Sequence, residues 1–229
     1  MSTTTMIVGG SAGLGLAVAR QRVERGDHVI VTSRCEQRAD RAAQQLPGPA
    51  RGVGLELTEP RSFADALSEI NRIDRLVLAA TERGGAALPE LNVDEATRVV
   101  TAKLVGYLEL TRLLRPRFSA EASVVLFGGT AKDRPEPRST LTTVTTQAVS
   151  GMVRTLASQL APHRVNAIHP GAVGDSPRWA STPEPPGLAR TPIGRLVTTA
   201  EVVHAVEFLL TNTGINAQDL HLDGGVTIT

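Results

Sequence analysis

Near the start of the chain, the run Val8-Gly9-Gly10-Ser11-Ala12-Gly13-Leu14-Gly15 follows an apolar stretch and opens an amphipathic one. Glycines at a strand-to-helix turn let backbone amides approach an anion, whose charge then meets the positive end of the helix dipole. That chemistry suits a pyrophosphate, with Gly9, Ser11, Ala12, Gly13, Leu14 and Gly15 placed around it. The spacing is Gly-x-x-x-Gly-x-Gly rather than the commoner Gly-x-Gly-x-x-Gly, and a merely tight connection can use glycines in the same way. The next apolar stretch ends Val31-Thr32-Ser33-Arg34. An acidic residue at this place accepts from ribose hydroxyls and selects NAD, whereas Ser33 and Arg34 offer donors that match a 2′-phosphate. The residues therefore point to NADP(H). A solvated surface arginine is the alternative, since six of the residues from 20 to 41 are Arg.

Groups able to move a proton are scarce. Tyr107 is the only tyrosine, and Lys103 and Lys132 are the only lysines, so no Tyr-x-x-x-Lys pair exists. The single Cys35 excludes an intrachain disulfide and a cysteine-rich metal site, and no metal is expected. Basic and acidic residues number 24 and 23 without a long run of either sign, which gives no electrostatic case for nucleic acid or a membrane surface. The first five residues carry no signal-peptide pattern, and no apolar run approaches the ~20 residues of a membrane span. A cytoplasmic protein with a small-molecule ligand is the expectation.

The elements that must position these groups alternate along the chain. Strands are expected over residues 5–8, 28–32, 52–57, 75–80, 123–127, 164–168 and 219–222. Helices are expected over 14–25, 36–46, 62–70, 94–114, 143–160 and 200–210. Strands apolar throughout are buried on both faces, and strand–helix alternation implies right-handed crossovers in a doubly wound, mostly parallel sheet. With 229 residues and only 3% aromatics, one α/β domain with an aliphatic core over residues 1–229 is the economical reading. Residues 171–199, rich in proline (Pro177, Pro183, Pro185, Pro186, Pro192), are expected to form a lid or substrate loop at the carboxyl ends of the strands, with disorder as the alternative, and Arg178 and Trp179 either line the pocket or pack the lid.

With these residues in place, the chain resembles the short-chain dehydrogenase/reductase family over essentially its whole length. Gly9 to Gly15 match the family's Thr-Gly-x-x-x-Gly-Ile-Gly turn, with Val8 for the threonine and Leu14 for the isoleucine. Leu55-Glu56-Leu57-Thr58 is similar to the segment that touches adenine, which nominates Glu56 and Leu57. Arg164-Val165-Asn166-Ala167-Ile168-His169-Pro170-Gly171 is similar to the strand end near the nicotinamide, which nominates Pro170, Gly171 and Val173, with Ser176 toward the carboxamide. Thr191-Pro192-Ile193-Gly194-Arg195 and Leu222-Asp223-Gly224-Gly225 also match. The resemblance implies a single Rossmann domain of about seven strands and a homo-oligomer, a tetramer built on the helices at 94–114 and 143–160.

The resemblance departs from the family at the catalytic positions. The family's Asn-Asn-Ala-Gly reads Leu78-Ala79-Ala80-Thr81, and its helix asparagine is replaced by Lys103 of Lys103-Leu104-Val105-Gly106. Its serine reads Gly128-Gly129-Thr130, and Thr142 and Thr146 stand where the tyrosine and lysine belong. All four members of the Asn-Ser-Tyr-Lys set are thus replaced, as in a divergent branch. Losing a general acid typically costs about 10²–10⁴ in rate. Threonine hydroxyls are too weakly acidic to replace the phenol but can donate to a developing oxyanion. Lys103 either snorkels to the surface along its aliphatic stem or, facing the cleft, takes over the missing lysine's place beside the Thr142 and Thr146 hydroxyls, with Thr130 as a further site candidate. His169 reads as a packing or backbone-bonded histidine, and Lys132 and Asp133 read as solvated charges.

Three functions stay open: an NADPH-dependent reductase of an iminium or activated conjugated acceptor that needs no tyrosine acid; a non-catalytic NADP(H)-binding protein; and a non-redox lyase or isomerase on the same scaffold. Relatives of the last kind tend to lose the glycine turn, which is intact here.

Overall fold

The structure is a computed structural model that describes residues 3–82, 87–177, 179–182, 185 and 187–229. Seven strands form one sheet: β1 (Thr4–Val8), β2 (His28–Ser33), β3 (Ala50–Gly54), β4 (Ile73–Leu78), β5 (Phe118–Phe127), β6 (Arg164–Pro170) and β7 (Asp219–Leu222). All pairings are parallel, in the order β3-β2-β1-β4-β5-β6-β7. The order reverses between β1 and β4, the topological switch point outside which ligands bind in open α/β sheets.

Alternation along each strand feeds two cores. Met6, Val8, Leu76, Leu78, Val124 and Leu126 enter one, while Ile7, Val29, Val31, Val77 and Val125 enter the other. The helices α1 (Gly13–Glu24), α2 (Glu36–Gln44) and α7 (Thr199–Thr211) cover the second core with Val18, Ala42, Val206 and Leu209. The first core is covered by α3 (Phe63–Ala66), α5 (Tyr107–Leu114) and α6 (Thr140–Gln159), which contribute Phe63, Tyr107, Leu110 and Val153, while α4 (Val93–Val100) packs against α6.

Several expected boundaries are corrected. The third and fourth strands end at Gly54 and Leu78, so Leu55, Glu56, Leu57, Ala79 and Ala80 lie in the loops beyond them. The helix expected over 62–70 shrinks to a 3₁₀ turn (Pro60–Ser62) and the four residues of α3, because Leu67 already caps it. The helix expected over 94–114 is α4 and α5 joined through a π-helical segment, Thr101–Gly106. Its Gly106 is a packing requirement, since a Cβ there would stand 2.7 Å from the Leu57 carbonyl oxygen. The last long helix starts three residues early, at Thr140, and β5 runs back to Phe118.

At the amino ends of the strands, α1 and α7 are fastened by a buried ion cluster. The Arg22 guanidinium donates to Asp27 at 2.8 and 2.9 Å and to Glu207 at 2.6 and 2.8 Å, while Thr5 Oγ1 donates to Asp27 at 2.5 Å. Arg22→Met leaves both carboxylates without their main buried cation, a loss that costs about 3–5 kcal/mol in comparable buried pairs. Urea unfolding of this variant is expected to show a stability loss of that order. Arg112→Met, which removes an exposed pair with Glu109, is expected to unfold with the wild type.

Candidate active site

The turn after β1 is held by close backbone contacts. Gly9 has φ +80, and a Cβ on it would lie 2.7 Å from Ala80 Cα, while one on Gly15 would lie 2.3 Å from the Gly9 carbonyl oxygen. Gly9 N–H donates to Thr32 Oγ1 at 3.2 Å, which ties the turn to the end of β2. At Gly13, φ is +55 and a Cβ would meet nothing within 4 Å, so a side chain there would enter the open cleft. The first amides of α1, which starts at Gly13 on this wall, lack partners within the helix.

Two cavities adjoin at this edge, sharing Thr81 and Glu82. The first, about 400 Å³, is lined by Gly9, Ser11, Ala12, Gly13, Ser33, Arg34, Glu56, Leu57, Ala79 and Ala80. The second, about 540 Å³, is lined by Leu14, Lys103, Thr130, Thr142, Thr146, Pro170, Gly171, Val173, Ser176 and Trp179. Every described residue nominated from sequence as a site residue lies on one of these walls except Gly15, which acts behind the turn through its contact with Gly9. Arg178, with Pro183 and Pro186, lies outside the described residues. The described parts of the 171–199 loop are pinned at their base by the Val173–Val197 bridge and by Asp175, which accepts from Thr199 N and Oγ1 at 2.8 Å.

Lys103 sits in the π-helical segment and is 6% exposed, so it does not snorkel to the surface. Its ammonium donates to Phe127 O at 2.7 Å and makes longer contacts to Tyr107 Oη at 3.3 Å and Ala80 O at 3.4 Å. Burial pulls its pKa down to about 7, while these acceptors favour the charged form. Tyr107 is 1% exposed, and its hydroxyl lies 2.6 Å from Ala80 O and 3.0 Å from Leu78 O. Burial raises its pKa further, so the chain's one phenol is locked in the core as a donor to main-chain oxygen.

The threonines differ from one another. Thr146 Oγ1 donates to Thr142 O at 2.6 Å, so it offers the cavity lone pairs rather than a proton. Thr130 starts the 3₁₀ turn Thr130–Lys132, whose approach is fixed by a neutral histidine. Gly129 N–H donates to His169 Nδ1 at 3.2 Å, and His169 Nε2 lies 2.7 Å from Asp219 Oδ1. Burial holds His169 below its ordinary pKa against the opposing pull of Asp219. A Cβ on Gly128 would lie 2.2 Å from His169 Nδ1, which explains the glycine there. Lys132 and Asp133 are not simply solvated: Lys132 is 8% exposed at its side chain and pairs with Asp133 at 2.8 Å, while His221 reaches the same carboxylate at 2.7 Å.

Sequence reasoning missed Glu82, Glu136 and Thr145 on these walls. Glu82 was within reach of it, because the residue comes four positions after the end of β4, where ligands of such sheets bind. Its carboxylate pairs with Arg34 at 3.6 Å and with Arg98, whereas Glu136 pairs with Arg190 at 3.1 Å.

Comparison with known proteins agrees with this architecture. Carbonyl reductase family member 4 of Danio rerio is 27% identical over 236 residues, covering 100% of this chain and 99% of its own. The 3-oxoacyl-[acyl-carrier-protein] reductase FabG of Salmonella typhimurium is 26% identical, covering 96% of each. The solved 3-ketoacyl-(acyl-carrier-protein) reductase from Brucella melitensis, complexed with NADH, superposes with a TM-score of 0.87 at 24% identity over 98% of both chains. The family model described as enoyl-(acyl carrier protein) reductase matches residues 9–227, and with these relatives it makes the chain a member of the short-chain dehydrogenase/reductase family.

Proposed function

We propose that this family member is an atypical NADP(H)-dependent reductase of a small-molecule iminium or activated conjugated acceptor. The observation that carries this reading is the sealing of Tyr107 in the core, which leaves Lys103 as the titratable cation on the wall of the second cavity. The cofactor fit is supported by the empty space beyond Gly13 and by Ser33 and Arg34 on the same wall. Gly9, Ser11, Ala12 and Gly13 would hold the pyrophosphate, Arg34 and Ser33 the 2′-phosphate, Glu56 and Leu57 the adenine side, and Pro170, Gly171, Val173 and Ser176 the nicotinamide side. When bound, NADPH supplies a hydride.

An iminium becomes a neutral amine on accepting hydride, so no alkoxide requires a proton. A conjugated acceptor does need one at carbon, and Lys103 is the group placed to provide it, with Thr130 and Thr142 orienting the substrate beneath Trp179. The 2.7 Å bond from Lys103 to Phe127 O favours a second reading, in which the lysine is structural and the protein binds NADP(H) without turnover. Incubation with NADPH and panels of imines and enones separates the two, since turnover selects the reductase and tight binding alone selects the binding protein.

The same reading places the protein in the cytoplasm. No helix among the described residues is long and apolar enough to cross a membrane. It also makes the chain a homotetramer, supported by Val105 (48% exposed), Leu108 (44%) and Val144 (54%) on α5, its π-helical approach and α6. Light scattering at micromolar concentration is expected to give four times the 24.2 kDa chain mass, and a monomeric mass would refute it.

If Arg34 meets a 2′-phosphate, NADPH binds more tightly than NADH. Arg34→Ala then weakens NADPH by roughly ten- to a hundredfold, the worth of a charge-assisted contact, and changes NADH little. Fluorescence titration of both cofactors is the check, and equal wild-type affinities would sink the assignment.

Lys103 gives a pH signature. With a conjugated acceptor, the protonated amine present below about pH 7 is the donor, so turnover falls as pH rises through that value. With an iminium, the two positive charges repel, so turnover rises over the same interval. Lys103→Met should remove either limb. Independently of activity, the folded protein releases this proton near pH 7 whereas the unfolded chain keeps it to about 10.5. Wild type should therefore gain stability relative to Lys103→Met between pH 7 and 9, on the order of 2 kcal/mol. Parallel wild-type and mutant melting curves across that range would show that the lysine does not titrate there.

A further inference from the structure

Glu82 stands where the two cavities meet, and its carboxylate is committed to two arginines from different elements. Arg34 follows β2 and Glu82 follows β4, while β1 and its glycine turn lie between those strands, so the Arg34–Glu82 pair spans the mouth of the first cavity. Arg34 is 63% exposed at its side chain and Glu82 only 17%. The carboxylate is therefore the fixed partner and the guanidinium the movable one. Arg98, on α4, holds the other carboxylate oxygen and anchors Glu82 from the far side. The neighbouring acidic group, Glu56, has its own partners, accepting from Thr58 N at 3.0 Å and Thr58 Oγ1 at 2.8 Å. Among the described residues, Glu82 alone pairs with Arg34.

We infer that Glu82 is a specificity-determining residue: it occupies Arg34 in the free protein and must be displaced from it by the 2′-phosphate of an incoming nucleotide. This rests on the NADP(H) reading above. A phosphate dianion outcompetes a single carboxylate for the same planar fork, and Arg98 keeps Glu82 neutralised once Arg34 has turned away. The carboxylate thus weakens NADPH binding while leaving NADH, which carries no 2′-phosphate, nearly indifferent. The outcome is a graded preference rather than an absolute one, with NADP⁺ released faster than Arg34 alone would allow.

The experiment measures dissociation constants for NADPH and NADH in wild type, Glu82→Gln, Arg34→Ala and the double variant, with Arg98→Met as a fifth protein. Glu82→Gln should tighten NADPH by about two- to tenfold, the range of a partly exposed ion pair with its repulsion added, and change NADH by less. The gain should vanish in the Arg34→Ala background. Arg98→Met should act in the opposite direction, because a Glu82 that has lost its second partner holds Arg34 more firmly. An unchanged or weaker NADPH affinity in Glu82→Gln overturns the inference. So does an equal tightening of NADH, which would mark general relief of negative charge near the pyrophosphate. If Arg34→Ala itself leaves NADPH binding intact, the cofactor assignment has failed, and the Glu82 inference falls with it. If Arg34→Ala weakens NADPH but Glu82→Gln does nothing, only the Glu82 inference fails.

Discussion

The cleft depends on one contact between backbones. The turn after β1 and the segment after β4 approach so closely that any side chain on Gly9 would collide with Ala80 Cα, and any on Gly15 with the Gly9 carbonyl. That approach fixes where α1 starts, and so where its amide-lined, positive end is aimed. It also fixes where the chain after β4 can go, and hence where Thr81 and Glu82 stand between the two cavities. Glycine is required here for lack of room as well as for positive φ. At Gly13 the positive φ alone favours glycine, because the space beyond it is open.

A second constraint joins the far wall to the first. Lys103 reaches from the π-helical segment to carbonyls at the ends of β4 and β5, and Tyr107, one turn on, donates to the same β4 end. Strand ends present carbonyl oxygens without ladder partners, and a buried one without a donor is costly. The lysine and the tyrosine meet that need here. Their commitment to main-chain oxygen explains how the chain can keep a lysine and a phenol near the cleft and yet lack a conventional acid in it. The wider turn of a π helix changes which side chains face inward, and such turns recur at functional sites.

Much of this was legible from the residues. The glycine turn, Arg34, and the Pro170-Gly171 strand end identify themselves through backbone chemistry that depends on residue type, and they lie on the cavity walls. The inner strands were legible because both faces are buried, so Met6-Ile7-Val8, Val29-Ile30-Val31, Leu76-Val77-Leu78 and Val124-Val125-Leu126 read as apolar runs, whereas the edge strands β3 and β7 carry Arg51, Asp219 and His221 and show the pattern only weakly. Strand ends were less so: Leu55 to Leu57 and Ala79-Ala80 are as apolar as the strands they follow, and only pairing reveals that they have left the sheet. The π-helical segment left no mark, since Thr-Ala-Lys-Leu-Val-Gly fits an α helix equally well. Glu82 was missed because its meaning lies in Arg34 and Arg98, 48 and 16 residues away, which the fold alone brings together.

The arrangement of charge explains why the interior of the second cavity is chemically quiet. Its carboxylates stand at the rim and are neutralised from outside, Glu82 by Arg34 and Arg98, and Glu136 by Arg190. The one histidine beside it is buried, holds its Nδ1 lone pair toward Gly129 N–H, and is kept uncharged by desolvation. Among the described residues, what remains facing the cavity is hydroxyl, amide and aliphatic surface with the Trp179 ring, and one amine whose charge is in balance near neutrality. Such a wall can orient a substrate and exclude water without imposing a strong field. On the proposed reading, this wall fits an acceptor that brings its own activation, since few charged groups among the described residues face it.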